Sequence, residues 1–103
     1  MPSSTFELFR NAVLSKRRVS FSYQGFHRET CPHAIGWKFG KEQVLVFQYG
    51  GDSSKGLPPG GEWRCFPIAG IANAQIESGP WMTAGNHSRP QTCVSEIAAE
   101  VPY

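Results

Sequence analysis

The residues best suited to chemistry in this chain are cations and aromatics set close together. Lys16-Arg17-Arg18 stand at the mouth of Val19-Ser20-Phe21-Ser22-Tyr23, Arg28 and Cys31-Pro32-His33 follow after a short gap, and Arg64 lies far downstream in Trp63-Arg64-Cys65-Phe66-Pro67-Ile68. A guanidinium is a planar fork that matches phosphate oxygens, so Arg28 and Arg64 could clamp an anion. Each could instead pair with its neighbouring acid, Glu29 or Glu62. Lys16, Arg17, Arg18 and Lys38 could steer a nucleic-acid backbone, in which case affinity would fall steeply with salt through counterion release. They could also serve as helix-end cations and a solvated turn. Tyr23, Trp37, Tyr49 and Trp63 could stack on bases, and Trp63, beside a glycine-rich loop, is the best placed to be exposed. Phe21 and Phe66 read as core.

Other chemistries fit poorly. His27, Cys31 and His33 share strand parity, but a zinc site needs four converging ligands and their spacing matches no common zinc motif. No metal or other cofactor is expected. A nucleophile-and-base pair of Cys31 with His27 or His33 fails on distance, because next neighbours on one strand face lie about 6–7 Å apart, beyond the reach that activates a thiol. Glu29, Glu62 and Glu77 are scattered rather than paired in an apolar setting. The expectation is a binding protein and not an enzyme.

The elements that would position these residues follow from periodicity. Ser4-Thr5-Phe6-Glu7 fits a capping box, and Phe6, Phe9 and Val13, widened by Leu8 and Ala12, make an apolar stripe on a helix over about 5–16. Val19, Phe21 and Tyr23 alternate with polar residues, which predicts a strand with one buried face. Gln24-Gly25-Phe26 supplies a turn, a second strand starts near Arg28, and Pro32, lacking an amide donor, marks a strand edge or bend. Ile35 to Phe39 resumes an extended run with Trp37 and Phe39 as core candidates, and Gly40-Lys41-Glu42 turns the chain into a third strand, Gln43 to Tyr49. Its Val44-Leu45-Val46-Phe47 segment is apolar on both faces, so that strand is central or covered. Residues 50–61 read as a loop. Further strands are expected at about Trp63 to Ile68 and Ile71 to Glu77, and 79–103 as an extended tail that Trp81, Val94, Ile97 and Val101 could pin. Five short strands after one helix give a mostly β (α+β) single domain over 1–103, with a small barrel over about 18–77, since closure hides sheet edges.

Composition bounds the function. The net charge of +2 is too small to argue for non-specific nucleic-acid binding, but seven cations and two anions fall in Met1–Lys41, so the amino-terminal part carries +5 and the remainder −3. Cysteines at 31, 65 and 93 form an odd set with no CxxC spacing, and no leader or 18-residue apolar run is visible. Free thiols, a cytoplasmic location and no membrane partner are therefore expected.

From about Leu8 to Glu77 the chain resembles the WYL domain, a small SH3-like or Sm-like β-barrel found mostly in bacterial transcription regulators. The resemblance rests on a helix leading into basic-Val-x-Phe-x-Tyr, then Gly25 and Arg28, Pro32-His33-Ala34-Ile35, an apolar strand, and Arg64-x-Phe66-x-Ile68-x-x-Ile71. It implies a five-stranded SH3-like barrel that senses nucleic acid or a nucleotide-like anionic effector. It implies a ligand-binding set of Tyr23, Arg28, His33 and Arg64, expected to converge on one pocket. The family's Trp-Tyr-Leu falls on Gln43-Val44-Leu45, which leaves Tyr49 as the candidate for the pocket tyrosine. Only about 18 residues precede the first strand, so a sensing role would signal through a separate regulator or by homo-oligomerising. The alternative is a structural, oligomerising β-barrel with a decayed pocket, in which the apolar strand Val44 to Phe47 packs between protomers.

Overall fold

Helix α1, Ser4–Ser15, forms where the apolar stripe predicts it, and buries Phe6, Phe9, Ala12 and Val13. A computed structural model describes residues 3–51, 62–79, 81 and 94–100. The cap lies one residue earlier than the Ser4–Glu7 box: Ser3 Oγ accepts from Phe6 N at 3.2 Å. The carboxylate serving the cap belongs to Glu42, which accepts from Ser3 N at 3.0 Å and from Ser3 Oγ at 2.7 Å. A tertiary partner thus replaces the local glutamate. Lys16 ends the helix in a left-handed conformation.

Strands β1 (Arg18–Tyr23), β2 (Phe26–Lys38), β3 (Lys41–Gly51), β4 (Glu62–Pro67), β5 (Ile71–Glu77) and β6 (Glu96–Glu100) form one antiparallel sheet of order β4-β3-β2-β1-β5, with β6 pairing β2. Among the described residues the fold is mostly β with one α-helix, and has six strands where five were expected. The additional strand lies in the expected extended tail. Glu96-Ile97-Ala98-Ala99-Glu100 has little strand character of its own, and pairing with Ala34–Trp37 extends it.

Both hairpins turn through two residues with positive φ, Gln24-Gly25 and Phe39-Gly40, the signature of a type I′ turn that matches strand twist. The first brings β2 in at Phe26 rather than near Arg28. The second lies earlier than the expected Gly40-Lys41-Glu42, because Lys41 and Glu42 already pair with Lys38 and Trp37. Phe39 is consequently no core residue: it is 90% exposed. A left-handed backbone costs a non-glycine residue roughly 1–2 kcal/mol.

β2 runs unbroken for 13 residues, and Pro32 marks an irregularity in its pairing rather than its end. β1 pairs with β2 only as far as Thr30 and β6 begins at Ala34. The register against β3 shifts between Pro32 and Ala34. The proline that cannot donate sits where β2 exchanges one neighbour for the other.

Val19, Phe21, Ile35, Val44, Val46, Phe66 and Ile68 build the main core with α1. Its rings pack edge-on: Phe9–Phe21 centroids lie 5.7 Å apart and Phe21–Phe66 5.1 Å. Burying each such side chain contributes about 1.5–3 kcal/mol. Leu45 faces the other way, into a second cluster with Ala34, Val94 and Trp63. β3 is therefore both central and covered, and its apolar segment is used within the chain.

Cys31 is a free, fully buried thiol, whereas Cys65 is disulfide-bonded. That corrects the expectation of free thiols, and with it the ground for a reducing compartment. Cys93, Val101 and residues 52–61 lie outside the described residues. No helix among the described residues is long and apolar enough to cross a membrane.

Candidate functional site

Strand alternation deals the sequence-predicted site residues onto two sides of the sheet. Phe21 opposes Arg28 and Val19 opposes Thr30, and directly opposed residues share a face. Arg28 therefore points to the core side. Thr30 opposes Gln48 and Val46 opposes Arg64, so Arg28, Thr30, Gln48 and Arg64 occupy the same inner face. Arg28 is only 3% exposed. Its guanidinium carbon lies 5.3 Å from the Phe66 ring and 5.7 Å from Tyr23 and Phe26, and Nη1 donates to Gln48 Oε1 at 3.4 Å. Tyr23 packs edge-on against Phe66 at 4.9 Å. Arg28, Tyr23 and Arg64 are thus brought to one side, with Arg28 deep in the packing rather than presented to solvent.

His33 does not join them. It is fully buried, hydrogen-bonded through Nδ1 to the Cys31 carbonyl at 2.7 Å. Its ring packs against Trp63 and Trp81, with centroids 4.5 and 4.3 Å away. Trp63 also packs on Phe47 at 5.5 Å and is half-buried, where exposure was expected. His33 lies an odd number of residues beyond inward-facing Arg28, which sends it to the opposite face, and the three-residue convergence of Arg28, His33 and Arg64 does not form.

Tyr49 belongs to the outward face, with Arg18. Arg18 Nε donates to the Tyr49 hydroxyl at 2.6 Å while the guanidinium stacks 4.4 Å from the Tyr49 ring centroid. A Cβ on Gly79 would collide with Arg18 Nη1, so the guanidinium is held between the tyrosine and bare backbone. Around this pair opens a cleft of about 260 Å³ lined by Arg18, Ser20, His27, Glu29, Tyr49, Glu77 and Ser78. β1 supplies Arg18 and Ser20 because Val19 and Phe21 take the inner positions, and β2 supplies His27 and Glu29 by the same alternation. β5 supplies Glu77, opposite Arg18.

The cleft mixes charges. Ser20 Oγ donates to Glu77 Oε2 at 2.7 Å, and His27 Nε2 lies 3.7 Å from Glu29 Oε2. Burial pushes the Tyr49 hydroxyl above its ordinary pKa, outweighing the opposing hydrogen bond and charge of Arg18. Tyr49 thus remains a neutral phenol that accepts from Arg18 and keeps its own proton to donate. Beside a held guanidinium, that is an arrangement for gripping an anionic oxygen. Glu29 and Glu77 add carboxylate acceptors to the cleft wall. Among the described residues, no three His, Cys, Asp or Glu side chains are placed to hold a metal.

Of the residues expected to steer a polyanion, Lys16, Arg17 and Arg18 follow the carboxyl end of α1. Lys38 sits at the β2–β3 tip, near Glu42 and the amino-terminal cap. The 12-residue helix separates the two places by about 18 Å at 1.5 Å per residue. The four cations form no single track.

Sequence reasoning identified Arg18 and Tyr49 separately, without the contact that joins them. Ser20, His27, Glu29, Glu77 and Ser78 were missed as cleft residues, since each reads alone as a solvated strand position. No protein-family model, curated protein or solved structure matches this chain.

Proposed function

We propose that this chain is a non-enzymatic, WYL-like regulatory module that binds a small nucleotide-like anion in the outward cleft. The observation that carries the reading is the Arg18–Tyr49 pair, a cation fixed by a 2.6 Å hydrogen bond and by stacking. A preorganised guanidinium loses little freedom when it binds an oxyanion. Glu29 and Glu77 then select against bare phosphate, since an anion without donors meets two carboxylates. A nucleotide suits both needs, its phosphate meeting Arg18 and Tyr49 and its ribose or base donors meeting the acids. The cleft volume of about 260 Å³ lies near the low end of ligand pockets, which favours a mononucleotide over a polymer.

The barrel reading has support in the strand order. A sheet ordered β4-β3-β2-β1-β5, with a pairing irregularity after Pro32 and a short 3-10 turn at Ile68–Gly70 joining β4 to β5, is suited to bring β4 beside β5 and hide both edges. Signalling would pass to a separate regulator protein.

Calorimetric titration with the four ribonucleoside monophosphates and with inorganic phosphate tests the reading. A nucleotide is expected to bind more tightly than phosphate, and Arg18→Ala to weaken it about tenfold, the loss of a charge-assisted hydrogen bond. Absence of nucleotide binding at millimolar concentration, or equal binding by Arg18→Ala, would overturn it.

A further inference from the structure

The β2–β3 hairpin ends in Lys38-Phe39-Gly40-Lys41, and no other large apolar side chain among the described residues is as exposed as Phe39. Phe39 occupies the first central position of the turn with φ 52°, where type I′ turns favour Asn, Asp or Gly. Nothing in local conformation calls for a phenylalanine there, and the fold does not bury it. Space beside it is open, since a Cβ on Gly40 would meet no atom within 4 Å. The hairpin below the tip is firmly mounted. Ser3 bonds Glu42 through two atoms, Phe6 stacks on Trp37 at 4.9 Å, and Ser95 donates to the Trp37 carbonyl through N at 3.0 Å and Oγ at 3.1 Å. One aromatic ring is thus held out on a fixed stalk with a lysine on each side.

We propose that this tip is a peripheral membrane contact: Phe39 inserts at the boundary between headgroups and acyl chains of an anionic bilayer, and Lys38 and Lys41 meet the lipid phosphates. The shape of the tip favours a bilayer. A stable protein interface needs about 800 Å² from each partner, and the tip offers one convex apolar side chain bordered by lysines and a glycine. Single-stranded nucleic acid is held by successive aromatics along a basic groove. Here there is one ring, and Lys38 Nζ lies 5.7 Å from its centroid. A lysine stem along an inserted ring, with its ammonium directed back to the headgroups, is the arrangement expected at a membrane surface. Each such cation adds attraction to anionic lipid. Surface contact of this kind requires no spanning segment.

Sedimentation with vesicles tests the proposal, using phosphatidylcholine with about one third phosphatidylserine against phosphatidylcholine alone. The full chain is expected to partition onto the anionic vesicles, with Phe39→Asn lowering the partition coefficient about tenfold. Lys38→Gln and Lys41→Gln should each lower it about fivefold, and added salt should weaken it further. Asn suits the turn, so Phe39→Asn should melt no lower than the parent, and its loss of binding reports the contact rather than unfolding. The proposal is overturned if the parent chain does not bind anionic vesicles at millimolar lipid, or if Phe39→Asn binds them equally. It is likewise overturned if Phe39→Asn loses affinity for a single-stranded oligothymidylate while vesicle binding is unchanged.

Discussion

Two arginines of similar appearance in the sequence should respond oppositely to truncation. Arg28→Ala removes a side chain that is 3% exposed and lies over the rings of Tyr23, Phe26 and Phe66. Three buried methylenes contribute about 0.8 kcal/mol each, and three ring contacts about 0.5–1 kcal/mol each. The gross loss is about 4–5 kcal/mol. Relief of the desolvation of a buried charge offsets part of it, leaving roughly 2–3 kcal/mol. For a domain of this length that lowers Tm by about 10–20 °C, read by thermal circular dichroism at neutral pH. Arg18→Ala removes a half-buried side chain from one hydrogen bond and one stacking contact, worth about 1 kcal/mol, and its effect should appear in nucleotide affinity. If Arg28→Ala melts within about 3 °C of the parent, a shift well below 1 kcal/mol, the assignment of Arg28 to the packing is wrong. Lost nucleotide binding with that unchanged stability would move the ligand to the inner face.

Other outcomes follow from particular contacts. Gly36→Ala should cost about 2 kcal/mol or more, because a Cβ there collides with the Glu96 carbonyl and comes within 2.8 Å of Val94 Cγ1. Hydrogen exchange should show the β6 amides losing protection first, and unchanged protection would contradict the β2–β6 pairing. The Tyr49 pKa is raised from its ordinary 10.0, so above pH 10 the unfolded chain releases this proton before the folded one. Stability is then complete below that pH and falls as pH rises toward the folded value; urea titrations of the parent and of Tyr49→Phe should differ in that alkaline slope. Leu45→Asp should prevent folding, since Leu45 is 2% exposed and an unpaired carboxylate cannot be accommodated there. A soluble, natively folded Leu45→Asp monomer would instead reveal an interface between copies.

Much of this was legible. The α1 stripe follows from periodicity, because one helix face is buried and the other solvated. Alternation likewise places Val19, Phe21 and Tyr23 inward, although Ser20 between them is buried too, and β5 keeps its expected bounds although none of its residues is buried. The Gln24-Gly25 turn held a further signal. A two-residue turn there forces Phe21 opposite Arg28, and so sends the arginine inward. Parity also sets His33, five residues beyond Arg28, on the opposite side of a strand. β6 had no such signal, since an Ala- and Glu-rich segment becomes a strand only against β2. Phe39 was misread from residue type: apolarity suggested core, while the following glycine pointed to a turn. The cleft was invisible because its residues come from β1, β2, β3, β5 and Ser78 just beyond β5, and only the strand registers assemble them.

The two polar faces differ in what the fold consumes. On the inner face, Thr30 Oγ1 donates to the Val19 carbonyl at 2.8 Å. Gln48, fully buried, donates to the Gly50 carbonyl at 3.0 Å and accepts from Arg28. These groups are committed to holding β1, β2 and β3 together, and a ligand would have to displace them. On the outer face Arg18 engages Tyr49 through Nε and packs Nη1 beside Gly79, which orients the guanidinium while its terminal nitrogens make no hydrogen bond among the described residues. Tyr49 accepts that bond and keeps its proton. A binding site needs polar groups that are fixed in place but not used up. In the described residues that condition is met at Arg18 and Tyr49, which is why the proposed anion site is placed on the outward side of the sheet.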